Sequence, residues 1–302
     1  MLTQAVQSYL EVRHACGFEF KCQGYLLLSF AAFSQARGKS HVCADVAIEW
    51  AGLARLARRR ALRLGEVIRF ARYVHAEDPK HELPLPVFGS ESRLRPTPYI
   101  LSKDDIRRLV KAASTSGYRT LRRDTYATLF ALLACTGLRI SEAIELRFDD
   151  ITPDGLVIRC SKFRKSRLVP LHDTALAALQ RYLDLRRPYA PFDDHVFVSL
   201  RRKPLLSGDI ETAFRSAARK IELPQGPGLP RATPHSLRHT FAVRALETCP
   251  DDRDHITKHM VALSTYLGHA KVADTYWYLQ ATPDLMRSIS ASSESFVTGH
   301  MS

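Results

Sequence analysis

Thr136-Gly137-Leu138-Arg139-Ile140-Ser141-Glu142 stands near the middle of this 302-residue chain, and the organisation of the second half can be read outward from it. From Asp124 to Cys135 apolar residues recur at helical spacing, and Thr136-Gly137 ends the run, because glycine tolerates the left-handed backbone that stops helices. A further helix carries Ile140, Ala143, Ile144 and Leu146 on its apolar side. Arg139 falls at the junction of the two.

Downstream, Leu156 to Arg159 and Leu168 to Leu171 are short apolar runs separated by the basic turn Ser161-Lys162-Phe163-Arg164-Lys165-Ser166. This pattern predicts a β-hairpin with Lys162 at its tip. Helices are predicted at Asp173 to Arg186, Ser207 to Lys220, His235 to Leu246, His255 to Tyr266 and near Ala273 to Leu279. Upstream, Ser102-Lys103-Asp104-Asp105 is an N-cap with a carboxylate three residues on, and it starts a helix from Asp104 to Ala113.

Before that cap lie prolines 79, 84, 86, 96 and 98 with Gly89, Ser90 and Ser92, a stretch that cannot sustain a helix. The first 80 residues have few Gly or Pro and show helical spacing at Leu2, Val6, Tyr9 and Leu10 and again at Leu26, Leu27, Phe30, Ala31 and Phe33. The expectation is therefore a helical domain over 1–88, a linker over 89–98, and a second domain over 99–302. The fold class is mainly α, with a small β-sheet in the second domain.

The apolar fraction of 45% is enough for each domain to bury a core. The longest apolar stretch, Tyr126 to Leu138, stops short of the roughly 18 residues a membrane span needs. The N-terminus shows no signal-peptide pattern, so a cytoplasmic, nucleoid-associated protein without a membrane partner is expected. The six cysteines form no C-x-x-C pair and are read as reduced core fillers. The net charge of +13 points to a polyanionic partner. Arg55, Arg58, Arg59, Arg60, Arg63, Arg69 and Arg72 form either a solvated helix face or a surface that tracks phosphates.

The second domain holds candidates for every role in cutting a DNA strand without metal: cations for the phosphate oxygens, a nucleophile, a base and an acid. An isolated His-x-x-Arg carries little weight in a chain with 12 histidines and 44 Lys+Arg. What carries weight is an ordered set. Thr136 to Glu142 is followed by the hairpin lysine, then His235-Ser236-Leu237-Arg238-His239-Thr240, then Leu267-Gly268-His269, and Tyr278 nine positions later.

In this order, and in the Lys-x-x-Lys-x-Arg-x-x-Pro-Leu hairpin at Lys162 to Leu171, the chain resembles the tyrosine recombinase (phage integrase) family over nearly its whole length. The helical N-terminal domain looks like that family's core-binding domain. The resemblance implies two domains forming a C-shaped clamp on double-stranded DNA, four protomers acting together on synapsed duplexes, and no cofactor, metal or small-molecule substrate. It implies site-specific strand cleavage and rejoining through a 3′-phosphotyrosyl link. Arg139 and Arg238 would clamp the scissile phosphate, Tyr278 would attack, and His235 would take its proton. Lys162 would protonate the leaving oxygen, His269 would hydrogen-bond the phosphate, and Glu142 would orient Arg139. Arg55, Arg58, Arg59, Arg63, Arg164 and Lys165 are the candidate DNA contacts, and Ala281 to Met301 would dock on a neighbour.

Several alternatives stay open. Tyr276 is a second candidate nucleophile, and Lys165 a second candidate acid. Trp277 stands where the family usually has an aliphatic residue, and an insertion from Thr248 to His255 lengthens the gap between His235 and His269. His235/His239 and His255/His259 each put two histidines on one helix face, but without the His-Glu-x-x-His glutamate or a cysteine pair no zinc is expected. The rival functions are a type IB topoisomerase and a catalytically inactive DNA-binding protein of the same fold. Because no arm-binding domain precedes Leu2, an Xer-like or transposon-borne enzyme is expected over a lambda-like integrase.

Overall fold

The computed structural model describes residues 2–89, 97–115, 121–159, 166–224, 226, 230–248, 253–269 and 271–278. The chain divides into two compact units, Met1–Arg95 and Pro96–Ser302. The first is all-helical: α1 (Leu2–Ala15), α2 (Lys21–Gln35), α3 (Ala44–Gly52) and α4 (Ala57–Glu77). Its core is built from the periodic apolar positions Leu2, Val6, Tyr9, Leu27 and Phe30, joined by Trp50, Val67 and Phe70. The Tyr9 ring meets Phe20, Phe70 and Tyr73, which ties α1 to α2 and α4.

The second unit contains α5 (Lys103–Ser114), α6 (Leu121–Thr136), α7 (Ile140–Ile144), β1 (Ile151–Thr152), β2 (Gly155–Ile158), β3 (Arg167–Val169), α8 (Asp173–Tyr189), α9 (Ser207–Lys220), α10 (Pro234–Glu247), α11 (Arg253–Leu267) and α12 (Ala273–Tyr276). The strands form one antiparallel sheet in the order β1-β2-β3, with Val157 opposite Leu168. α6 is the central helix. It packs on α5, α8 and α10 through Leu129, Phe130 and Leu133, and the edge-to-face contact of Phe130 with Phe214 brings α9 onto the same core. Ser102 caps α5 through reciprocal bonds with Asp105, so two otherwise orphaned N–H groups are satisfied.

Two expectations need correction. The helix after Arg139 does not reach Leu146; it ends at Ile144, and the chain turns to run beside 194–196, where Leu146 O accepts from Val196 N at 2.8 Å. Leu146 is buried in either geometry, so apolar spacing could not distinguish them. Of the described cysteines none fills a core: Cys16, Cys22 and Cys135 are exposed, and Cys43, at the start of α3, is half-buried against the core of the first unit. Cys160, Cys249, Lys162, Arg164, Lys165, residues 249–252 of the predicted insertion and the tail after Tyr278 lie outside the described residues. No described helix is long and apolar enough to cross a membrane.

Candidate active site

Two glycines with left-handed backbone shape the site. Gly137 (φ 62°) ends α6 and Gly268 (φ 64°) follows α11. Each presents its carbonyl to the arginine of another segment: Gly137 O accepts from Arg238 Nη1 at 2.6 Å, and Gly268 O from Arg139 Nη2 at 2.8 Å. A Cβ on Gly137 would lie 2.5 Å from Cδ1 of Phe241, and the conformation itself disfavours any side chain. Gly137→Ala is therefore expected to cost about 2–4 kcal/mol, read by chemical denaturation. A loss below about 0.5 kcal/mol would show that the turn relaxes freely.

Arg238 projects from the first turns of α10, a helix started by Pro234 and by the Thr233–Ser236 capping box. Only 2% of this residue is exposed, yet it is charged. Nη2 donates to Leu267 O at 2.7 Å and to His269 Nε2 at 3.1 Å. Burial, then the nearby Arg139, push its pKa down to about 10, well above physiological pH. Since an arginine only donates, His269 Nε2 accepts, and the proton sits on Nδ1, which donates to the buried Thr275 Oγ1 at 2.8 Å. Thr275 lies on α12, so the His269 turn is bonded to the helix that leads into Tyr278.

Arg139 is the N-cap of α7, and its backbone N–H and Nη1 donate to the two oxygens of Glu142 at 2.9 and 2.7 Å. Burial alone would raise the Glu142 carboxyl, but hydrogen bonds from Arg167 and Arg139 outweigh it and hold the pKa below the ordinary range. Glu142 is thus a buried anion between two arginines. The Arg139 side chain keeps 21% exposure, and it is the more solvent-reached of the two proposed phosphate ligands.

The two tyrosines part ways. Tyr276 is 53% exposed, whereas Tyr278 is 3% exposed and packs with Ala242, Val243, Leu246, Met260, Leu263 and Leu267. Its ring lies nearly parallel to that of His269, with centroids 6.1 Å apart, and its hydroxyl meets His239 Nδ1 at 3.4 Å. The rings of His235 and Trp277 abut His239 edge-on at 4.3 and 5.0 Å. His235 is exposed, yet the protein packed beside it, then the charges of Arg238 and Arg139, push its pKa down to about 4.

The structure therefore brings together Arg139, Glu142, His235, Arg238, His269 and Tyr278, with Lys162 outside the described residues. Sequence reasoning passed over His239, Thr275 and Arg167. His239 had been weighed only as a zinc ligand, although it directly follows Arg238 in the motif. Two described groups could gather a metal, His41-Asp78-His81 and Asp193-Asp194-His195, and neither includes a residue of this site. In the first unit Arg55, Arg58 and Arg59 are exposed around the start of α4, whereas Arg63 is half-buried over the Trp50 ring.

The model of the phage integrase family matches residues 100–284, which hold all of these second-unit groups. This chain belongs to the phage integrase family. The integrase is 38% identical to the integrase/recombinase y4rB of Sinorhizobium fredii over 94% of both chains. It is 27% identical to the tyrosine recombinase XerD of Listeria monocytogenes, over 85% of this chain and 77% of that one. Its fold matches the Tn1549 transposon integrase solved with circular intermediate DNA at a TM-score of 0.66, with 19% identity, over 95% of this chain and 99% of that one. As a member of this family the integrase is an enzyme, a site-specific recombinase.

Proposed function

We propose that this integrase binds a specific double-stranded DNA site and exchanges strands through Tyr278. The phenol oxygen attacks the scissile phosphorus, the bond to the 5′-oxygen breaks, and a 3′-phosphotyrosyl link forms. Arg139 and Arg238 receive the charge that builds on the non-bridging oxygens. Each has donors beyond its protein bonds, since the guanidinium offers five N–H groups. His269 bonds the phosphate once its Nε2 takes a proton and turns from Arg238 to the phosphate oxygen, and His235 takes the phenol proton. Lys162, or its neighbour Lys165, returns a proton to the leaving 5′-oxygen. Rejoining reverses these steps and needs no external energy. The observation that carries this reading is the direct chain from Arg238 through His269 to the ring of Tyr278.

On this reading the phenol, 3% exposed here, leaves its packing before it reaches a phosphate. The matches above are to integrases and recombinases, not to topoisomerases. One solved relative in fold is a lambda integrase tetramer on a Holliday junction, with a TM-score of 0.62 and 18% identity, over 89% of this chain and 77% of that one. A tetramer on synapsed DNA is accordingly proposed here. The exposed arginines 55, 58 and 59 track phosphates beside the uncapped start of α4.

The test is a nicked duplex bearing the cognate site, incubated in EDTA and analysed for an SDS-resistant protein–DNA adduct. An adduct supports metal-free tyrosine chemistry. No adduct on a site that the protein binds favours an inactive DNA-binding protein.

The histidine assignment carries a pH signature. In the free protein the His235 ring signal in NMR is expected to titrate near pH 4, and an anionic phosphate placed beside Arg139 and Arg238 to move the midpoint upward, because negative charge favours the protonated ring. The depressed value also has a stability sign. The unfolded chain takes up this proton first, so stability falls as pH drops from about 6.5 towards 4. A free-protein midpoint at 6.5 would contradict the crowded ring.

A further inference from the structure

The hairpin motif contains an arginine with no task so far. Arg167 opens β3, and in a basic DNA-facing hairpin its side chain would be expected in solvent. Instead it turns inward and is 11% exposed. Its two terminal nitrogens fork onto both oxygens of Glu142, Nη1 to Oε1 at 2.9 Å and Nη2 to Oε2 at 2.8 Å. Its Nε donates to Tyr266 O at 2.6 Å.

The same carboxylate accepts the backbone N–H and Nη1 of Arg139. Two oxygens thus receive four donors, which matches the roughly four acceptor positions of a carboxylate and leaves Glu142 no freedom to swing. Tyr266 lies two residues before Gly268, whose carbonyl holds Arg139 Nη2. A Cβ on Gly268 would stand 2.9 Å from Arg167 Nη1 and 3.4 Å from Arg139 Nη1. One guanidinium therefore joins three segments distant in sequence: the strand following the lysine turn, the start of α7 with Arg139, and the end of α11 with His269.

We propose that Arg167 is a positioning residue for strand cleavage: by locking Glu142 and the Tyr266–Gly268 turn, it holds Arg139 in the one orientation that aims its remaining donors at the scissile phosphate. This rests on Arg139 being a phosphate ligand. Lysine cannot replace it fully, since a single ammonium does not span both carboxylate oxygens and the Tyr266 carbonyl in a planar fork.

The experiment compares single-turnover cleavage of the nicked site by the full chain carrying Arg167→Lys, Arg167→Ala, Arg139→Ala and Arg139→Ala/Arg167→Lys, with DNA affinity and melting temperature measured on each. Misplacing a reacting group by about 1 Å can cost on the order of 10²-fold. Cleavage is expected to fall about 10²-fold in Arg167→Ala and about 10-fold in Arg167→Lys, with affinity within about threefold of wild type in the lysine variant. The double variant is expected to cleave no more slowly than Arg139→Ala alone, because the effect is transmitted through Arg139.

If the alanine variant does not fold, the lysine variant and the double variant decide the matter. Arg167→Lys cleaving within twofold of wild type would overturn the proposal. So would a double variant slower than Arg139→Ala by the full factor seen for Arg167→Lys alone, which would mark Arg167 as an independent structural contact. If Arg139→Ala itself cleaves normally, the reading of Arg139 as a phosphate ligand fails instead.

Discussion

Tyr278→Phe forms no SDS-resistant adduct with the nicked site, while Tyr276→Phe forms it at close to the wild-type rate: this is the largest effect expected for any single substitution. On the proposed assignment, deleting one oxygen removes the atom that joins the phosphorus, so the loss should be on the order of 10⁴-fold or more. The phenylalanine ring keeps its place among Val243, Leu246 and Leu263 and gives up the hydroxyl's contact with His239, so stability should change by about 1 kcal/mol. Tyr276 is exposed and stands away from the leucine cluster. An adduct that persists in Tyr278→Phe and disappears in Tyr276→Phe would reverse the assignment and move the nucleophile to the outer face of α12.

The second large effect is at Arg238. Arg238→Lys should slow single-turnover cleavage at least ~10²-fold, the scale of losing one donor aimed at developing charge, with DNA affinity largely retained. Lysine keeps the positive charge but cannot serve Gly137 O, Leu267 O and His269 Nε2 at once and still present donors to phosphate. Arg238→Ala should be as slow and less stable as well, because buried carbonyls left without partners each cost about 1–3 kcal/mol. Cleavage by the lysine variant within a few-fold of wild type would sink the clamp assignment, whatever the alanine variant does.

Much of this was legible in the sequence, for identifiable reasons. Gly137 and Gly268 are visible because helix ends that need positive φ select glycine, and the arginine and histidine beside each follow in fixed order. The hairpin was visible because apolar runs bracket a basic turn. The bonds of Arg167 were not visible. Its partners lie 25 and 99 positions away, and nothing in a local pattern distinguishes an arginine that reaches solvent from one that turns inward. The choice of Tyr278 over Tyr276 came from its spacing after Leu267-Gly268-His269, since periodicity cannot fix the phase of a four-residue helix over so short a span. His239 was hidden by its own motif, since two histidines one turn apart look the same whether they share a metal or pack edge-on.

The seat of Tyr278 has a further consequence for what happens at the wrong DNA. If Tyr278 is the nucleophile, the cutting rate carries as a factor the fraction of molecules in which it stands outside the leucine cluster, and a conformer about 3 kcal/mol above the packed one would be present in roughly one molecule in 150. A chance encounter meets that small fraction. A cognate duplex that favoured the released tyrosine would remove that handicap, so discrimination would be exercised once in affinity and again in the readiness of the nucleophile, and the two factors would multiply. An enzyme of net charge +13 would then be able to visit irrelevant DNA without cutting it.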